Sequence, residues 1–319
     1  MTEDSVEEQG SGKAGVGGGS TVRRPALRYH GGKWRLAPWI IGHFWPHRVY
    51  VEPFGGGASV LLRKERSARE VYNDLDEDVV TLFRVLRDPA AAERLIRLVE
   101  LTPFARTEFE DAYEPTDDDV ERARRLIVRS FMGFGSSVFA NHATGFRDYT
   151  RAHSRNRYPC GNWANYPQAL ARCVERFRGV VVDRRDALEV IGRHDSPATL
   201  FYADPPYVLE TRGSNRGVRQ KYAVEIDDDY HRRLAQVLRS VEGQVVISGY
   251  ACPLYDVELY PDWRRTERRT CADGAVARTE VIWTNRAPEV PSLFAAALTS
   301  PTHSPQSRTP TTQHGGRDA

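Results

Sequence analysis

Asp204-Pro205-Pro206-Tyr207 follow the apolar run Thr199–Ala203 directly, at the point where that run, read as a strand, ends. Two consecutive prolines remove two backbone donors and fix two φ angles. The result is a rigid corner that displays a carboxylate, bare carbonyls and an aromatic ring. The exocyclic amine of a nucleobase suits that equipment. It needs two hydrogen-bond acceptors, here the Asp204 carboxylate and the Pro205 carbonyl, and a stacking surface, here Tyr207. As a plain strand-to-loop turn the combination is unusual.

Three other stretches carry weaker signals. Glu52-Pro53-Phe54-Gly55-Gly56-Gly57 close another apolar run, and glycines there let the backbone approach a ligand closely. Their spacing is not G-x-G-x-x-G, so no pyrophosphate site is implied. Asn73-Asp74 lie about twenty residues on, where an acid at a strand end reaches ribose hydroxyls; an ordinary helix N-cap is the bland alternative. In Tyr29-His30-Gly31-Gly32-Lys33-Trp34, a glycine pair between an aromatic residue and a lysine could hold a carboxylate, or be a surface turn. Gly10-Ser11-Gly12-Lys13 lacks the spacing and the preceding strand of a phosphate loop.

Positive charge is concentrated between 147 and 178, in Arg147, Arg151, Arg155, Arg157, Arg172, Arg176 and Arg178. Tyr149, Tyr158, Trp163 and Tyr166 are interleaved. This pattern suits a surface that binds phosphates and contacts bases, or an ordinary solvated loop. A second cluster, Arg264, Arg265, Arg268 and Arg269, flanks the last strand. Trp34, Trp39, Trp45 and Trp283 read as core.

The elements that must hold these residues alternate. Val49–Phe54, Arg69–Asp74, Val180–Asp183, Thr199–Asp204, Val245–Ser248 and Thr279–Asn285 read as strands. The continuous apolar runs at Val180 and Thr199 suggest parallel strands covered on both faces, and the last strand suggests an edge hairpin. Helices follow from about Asp76, with Val79, Val80, Phe83 and Leu86 on one face, and after Asp88-Pro89, an N-cap and first-turn proline. Others open at Asp117-Asp118-Asp119 and Asp227-Asp228-Asp229. The alternation predicts a doubly wound α/β sheet with ligands beyond the carboxyl ends of its strands. Residues 87–178 break the pattern, helical at first and then irregular.

Of 319 residues, 40% are hydrophobic, enough for one large domain or two small ones. Lys and Arg number 45 against 43 Asp and Glu, which excludes a histone-like tail and makes the location of charge decisive. Four scattered cysteines form no zinc-binding spacing and no disulfide scaffold, so no metal is expected. The acidic N-terminus is no secretory signal, and no stretch approaches the roughly 18 apolar residues of a membrane helix, so a soluble cytoplasmic protein is expected. Residues 1–22 and 288–319, rich in Gly and in Pro, Ser and Thr respectively, are expected to be disordered tails.

The ordered series Tyr29 to Lys33, Glu52 to Gly57, Asn73-Asp74 and Asp204 to Tyr207 resembles the Dam-like, D12 class family of DNA adenine N6-methyltransferases. The resemblance covers most of residues 27–286, in the motif order of the family's alpha group. Arg129 to Gly135, with Thr144 to Arg147 after it, is similar to phage and prophage members and departs from the host-type insert.

The resemblance implies a Rossmann-like catalytic domain at 23–86 and 179–287, with an inserted target-recognition domain at 87–178. It implies S-adenosylmethionine as methyl donor, double-stranded DNA as partner and a flipped-out adenine as target. Tyr29 and Lys33 would hold the methionine end of the donor. Phe54, Gly55 and Gly57 would line its path. Asp74 would bind the ribose and Asp186 would contact the adenine. Asp204, Pro205, Pro206 and Tyr207 would hold the target base, with Asp204 also touching the donor. Arg147, Arg151, Arg155 and Arg157 would bind DNA. The same machinery could serve another amine, such as cytosine N4, an RNA adenine or a glutamine amide, though aspartate at 204 favours adenine. A nucleotide-dependent oxidoreductase is disfavoured by the missing G-x-G-x-x-G. A catalytically dead DNA-binding module is disfavoured by the intact Asp204 and Lys33.

Overall fold

The computed structural model describes residues 22–134, 144–148, 159–212, 224–271 and 277–286. The expected tails lie outside them, except that Val22 is packed into the core, so the folded part begins one residue earlier than composition suggests.

In chain order the elements are α1 (Ala37–Ile41), β1 (Val49–Glu52), α2 (Ser59–Arg63), β2 (Arg69–Asn73), α3 (Glu77–Arg87), α4 (Pro89–Leu101) and α5 (Arg106–Asp111). They continue with α6 (Asp119–Met132), α7 (Pro159–Ala164), α8 (Tyr166–Phe177), β3 (Val181–Asp183), α9 (Ala187–His194) and β4 (Thr199–Ala203). Then come α10 (Asp228–Ser240), β5 (Gln244–Gly249), β6 (Arg264–Cys271) and β7 (Ala277–Thr284). Aspartates start the long helices. Asp76, Asp88, Asp118, Asp186 and Asp227 each accept hydrogen bonds from first-turn backbone N–H groups of α3, α4, α6, α9 and α10. Pro89 follows its cap at the first helical position, where its missing N–H costs nothing.

The seven strands lie in the order β3-β2-β1-β4-β5-β7-β6. Neighbours from β3 to β5 pair in parallel, whereas β7 runs antiparallel to both β5 and β6. One expectation changes here. The Val180–Asp183 strand is the sheet's edge, and Val181 is 49% exposed rather than covered on both faces. The expected edge hairpin is the antiparallel pair β6–β7, in which the last strand, β7, joins β5 and the arginine-rich β6 lies outermost.

Strand alternation divides the interior into two cores. Tyr50, Tyr72, Leu200, Tyr202, Val246 and Ile282 face one side, with residues of α1 to α4, α6 and α8. Val51, Val71, Phe201, Ala203, Val245, Ile247, Val281 and Trp283 face the other, under α9 and α10. Within 87–178, then, α4, α6 and α8 pack in one core with β1 and β2. Trp163 and Tyr166, read from sequence as base-contacting, belong to that core; the Trp163 indole donates to Thr102 O and the Tyr166 hydroxyl to Ala26 O. Arg176 is likewise buried, paired with Glu70 at 2.6 Å, and is no phosphate ligand. Trp283 is fully buried, while Trp34, Trp39 and Trp45 are half-buried.

Candidate active site

The carboxyl ends of β1, β2 and β4 open onto a cavity of about 540 Å3. Tyr29, Lys33, Phe54, Gly55, Gly57, Asp74, Asp186, Asp204 and Pro206 all line it. Residues far apart in sequence thus meet because parallel strands carry their terminal loops to one edge. Pro205 and Tyr207 are buried and do not line the cavity.

The glycine loop is held from beneath by β2. Gly55 N donates to Asn73 O, the Tyr72 hydroxyl to Gly56 O, and Gly56 N to Asp74 Oδ2 at 2.7 Å. Two glycines are obligatory. Gly56 sits at φ +45, and a Cβ on Gly55 would lie 2.2 Å from the Tyr72 ring. Asp74 also accepts from Asp76 N, and burial pushes its pKa up despite these bonds. Asp76, beside it, rises to about 6, through burial first and then the charges of Asp74 and Asp78. Across the cavity, the Tyr230 hydroxyl donates to Asp186, and Arg233 lies over the Tyr230 ring.

Around Asp204 the polar groups form a closed set. Ser248 Oγ donates to Asp204 Oδ1 at 3.0 Å, which leaves its oxygen to accept from the Tyr202 hydroxyl at 2.9 Å. The Lys33 ammonium lies 2.9 Å from Asp204 Oδ2, 3.6 Å from Glu280 Oε1 and 4.7 Å from the centre of the Tyr207 ring. It also donates to Gly31 O. The Tyr207 hydroxyl donates to Glu280, whose pKa is raised by burial and by Asp204 against the opposing pull of Lys33. Glu52, beneath the glycine loop, accepts from the Tyr50 hydroxyl and Leu61 N, and burial pushes it up to about 8.

Sequence reasoning missed Glu280 and Ser248, and assigned no role to Glu52. The available signals were a carboxylate inside an otherwise apolar strand and a serine at a strand's carboxyl end. Lys33, expected with Tyr29 at the methionine end of the donor, lines the cavity with its ammonium beside Asp204 and Glu280. Arg147 is half-buried, with its guanidinium donating to Phe131 O. Arg151, Arg155 and Arg157 lie outside the described residues. Among the described residues no group of His, Cys, Asp or Glu is disposed to hold a metal ion.

The cavity fits S-adenosylmethionine in kind: glycine backbone without Cβ atoms for close approach, carboxylates at Asp74 and Asp186 that can accept from hydroxyl and amine donors, and aromatic rings at Tyr29, Phe54 and Tyr230. Strand order, the reversed β7 and the position of this cavity agree with the fold of S-adenosylmethionine-dependent methyltransferases. Within that class, the family model for D12 class N6 adenine-specific DNA methyltransferases matches residues 29–269, and the chain belongs to that family. It is therefore an enzyme that methylates adenine N6 in DNA. No curated protein matches the chain. No helix among the described residues is long and apolar enough to cross a membrane.

Proposed function

We propose that Asp204 and the backbone of its proline corner receive the amino group of an adenine extruded from duplex DNA. The supporting observation is the closed set around Asp204: Ser248 and Lys33 each take one carboxylate oxygen and fix its plane, leaving further lone pairs for N–H donors. An adenine amine is a poor nucleophile because its lone pair is delocalised into the ring. Accepting its N–H hydrogens at Asp204 and at the Pro205 carbonyl pushes electron density back onto nitrogen. S-adenosylmethionine, when bound, supplies an electrophilic methyl group. The proton leaves nitrogen afterwards, since the methylated ammonium is far more acidic than the amine. Fixed dipoles and positioning, rather than acid–base exchange, then carry the rate. A base within a stacked duplex is out of reach, so the adenine must be flipped.

Asp74 and Asp186 would hold the ribose and adenine of the donor, and Tyr29, Phe54, Gly55 and Gly57 its path. Lys33 would serve mainly to orient Asp204. Tyr207, with its hydroxyl tied to Glu280, would wall the target pocket more than stack freely. Target recognition would fall within 87–178. Because α4, α6 and α8 share the catalytic core, the chain between α6 and α7, with Arg147, Arg151, Arg155 and Arg157, is the stretch best suited to it. The protein would act in the cytoplasm. Incubation with plasmid DNA and labelled donor, followed by single-molecule sequencing, tests this reading. N6-methyladenine in a defined sequence context is expected, and methyl groups on another amine would refute it.

A further inference from the structure

The four arginines of β6 do not form one patch. Alternation sends Arg265 and Arg269 to one face and Arg264 and Arg268 to the other. Arg265 is taken up by Asp256 and Glu267, at 2.8 and 2.5 Å. Arg268 lies directly opposite Glu280 in the β6–β7 ladder, and opposed residues share a face. Since Glu280 reaches Lys33 and Tyr207, Arg268 stands on the active-site face. So does Arg278, two residues before Glu280. β7 runs antiparallel to β5, so its first residues, and the last of β6, stand at the carboxyl edge where the cavity opens.

Both guanidinium groups are spread on aromatic rings. Arg278 lies 5.3 Å from the centre of the Tyr250 ring, and Arg268 lies 5.9 Å from the Trp39 ring. Tyr250 in turn packs edge-on against Tyr207 at 4.6 Å. Among the described residues neither arginine has a carboxylate within ion-pair distance, unlike Arg124, Arg125, Arg232 and Arg239 on the helices. Stacking fixes an arginine in place while leaving its N–H fork for an anion.

We propose that Arg278 and Arg268, mounted on Tyr250 and Trp39, form a ledge that binds the DNA backbone beside the everted adenine. A phosphate held there would brace the strand just outside the Tyr207 wall, where the extruded nucleotide must be supported. The ledge supplies position rather than sequence preference.

The test is duplex binding by fluorescence anisotropy across a salt series, with the full chain and the variants Arg268→Ala, Arg278→Ala, their combination and Arg264→Ala. Each of the first two should flatten the slope of log affinity against log salt by about 0.9, and the pair by about 1.8. Arg264→Ala, on the same face but at the far end of β6, should keep the wild-type slope. Donor affinity measured by calorimetry checks the fold. If Arg278→Ala loses it, Arg278→Lys should bind donor and retain the slope, and exposed Arg268 carries the test alone. A double variant with the wild-type slope overturns the ledge, even if its turnover falls. The proposal rests on DNA as substrate; a wild-type chain with salt-independent duplex binding would instead remove that reading.

Discussion

The Tyr207 phenol donates a hydrogen bond to the buried carboxylate of Glu280, 73 residues further along the chain. Lys33 lies between that carboxylate and Asp204. One ammonium is therefore shared by two acids. In the proposed reaction, Glu280 would give Lys33 a second place to rest its charge, so that Asp204 could offer its lone pairs to an incoming amine. Replacing Glu280 by Gln keeps an acceptor for Tyr207 but removes the charge and confines Lys33 to Asp204. Turnover should fall about tenfold, the scale of one charge-assisted hydrogen bond, with the donor KM changed less than kcat. Steady-state kinetics with a short duplex checks the split.

Asp74→Ala should weaken donor binding more than DNA binding. The carboxylate lines the cavity and also ties Gly56 N to Asp76 N, so its loss removes an acceptor from the cavity wall and loosens the glycine loop together. Calorimetry with donor and anisotropy with duplex give the ranking; the reverse order would count against a ribose site.

Glu52 makes the protein's stability depend on pH in an unusual direction. Its pKa is about 8 in the fold, against the ordinary glutamate value of 4.5. Between those values the native state holds a proton that the unfolded chain has lost. Glu52's contribution is therefore complete below pH 4.5 and disappears as pH rises through 8, at up to roughly 1.4 kcal/mol per pH unit. Glu52→Gln should flatten this decline. Urea melts of the donor-free protein from pH 5 to 9 measure it.

Gly55→Ala tests the packing beneath the loop. The new methyl would overlap the fully buried Tyr72 ring, whose hydroxyl is committed to Gly56 O. A loss of about 1–3 kcal/mol is expected, the usual range for overpacking, with weakened donor binding alongside it. Chemical denaturation and calorimetry report the two effects separately.

Motif residues at strand ends were legible because topology, not fine packing, delivers them to one edge: Gly55, Asp74 and Asp204 needed only strands that end together. Helix starts were legible too, as Asp76, Asp88, Asp118 and Asp227 are local capping chemistry. What stayed hidden depends on register and on neighbours. Glu280 acquires meaning only when β7 is slotted beside β5, which no local pattern reveals. Val181 reads as buried until its strand turns out to have one neighbour. Trp163, Tyr166 and Arg176 look like a nucleic-acid surface until α7 and α8 fold onto the sheet. Within 87–178, amphipathic helices do not announce which core they join, and α4, α6 and α8 join that of β1 and β2.

The role of Asp204 is the point on which the rest turns, and single-turnover methyl transfer to duplex DNA by wild type and Asp204→Ala measures it most directly. The variant should bind donor and DNA yet transfer methyl on the order of 10²- to 10³-fold more slowly, as when one preorganised polar group is removed from a reacting centre. Transfer at the wild-type rate by a folded Asp204→Ala protein would contradict the account.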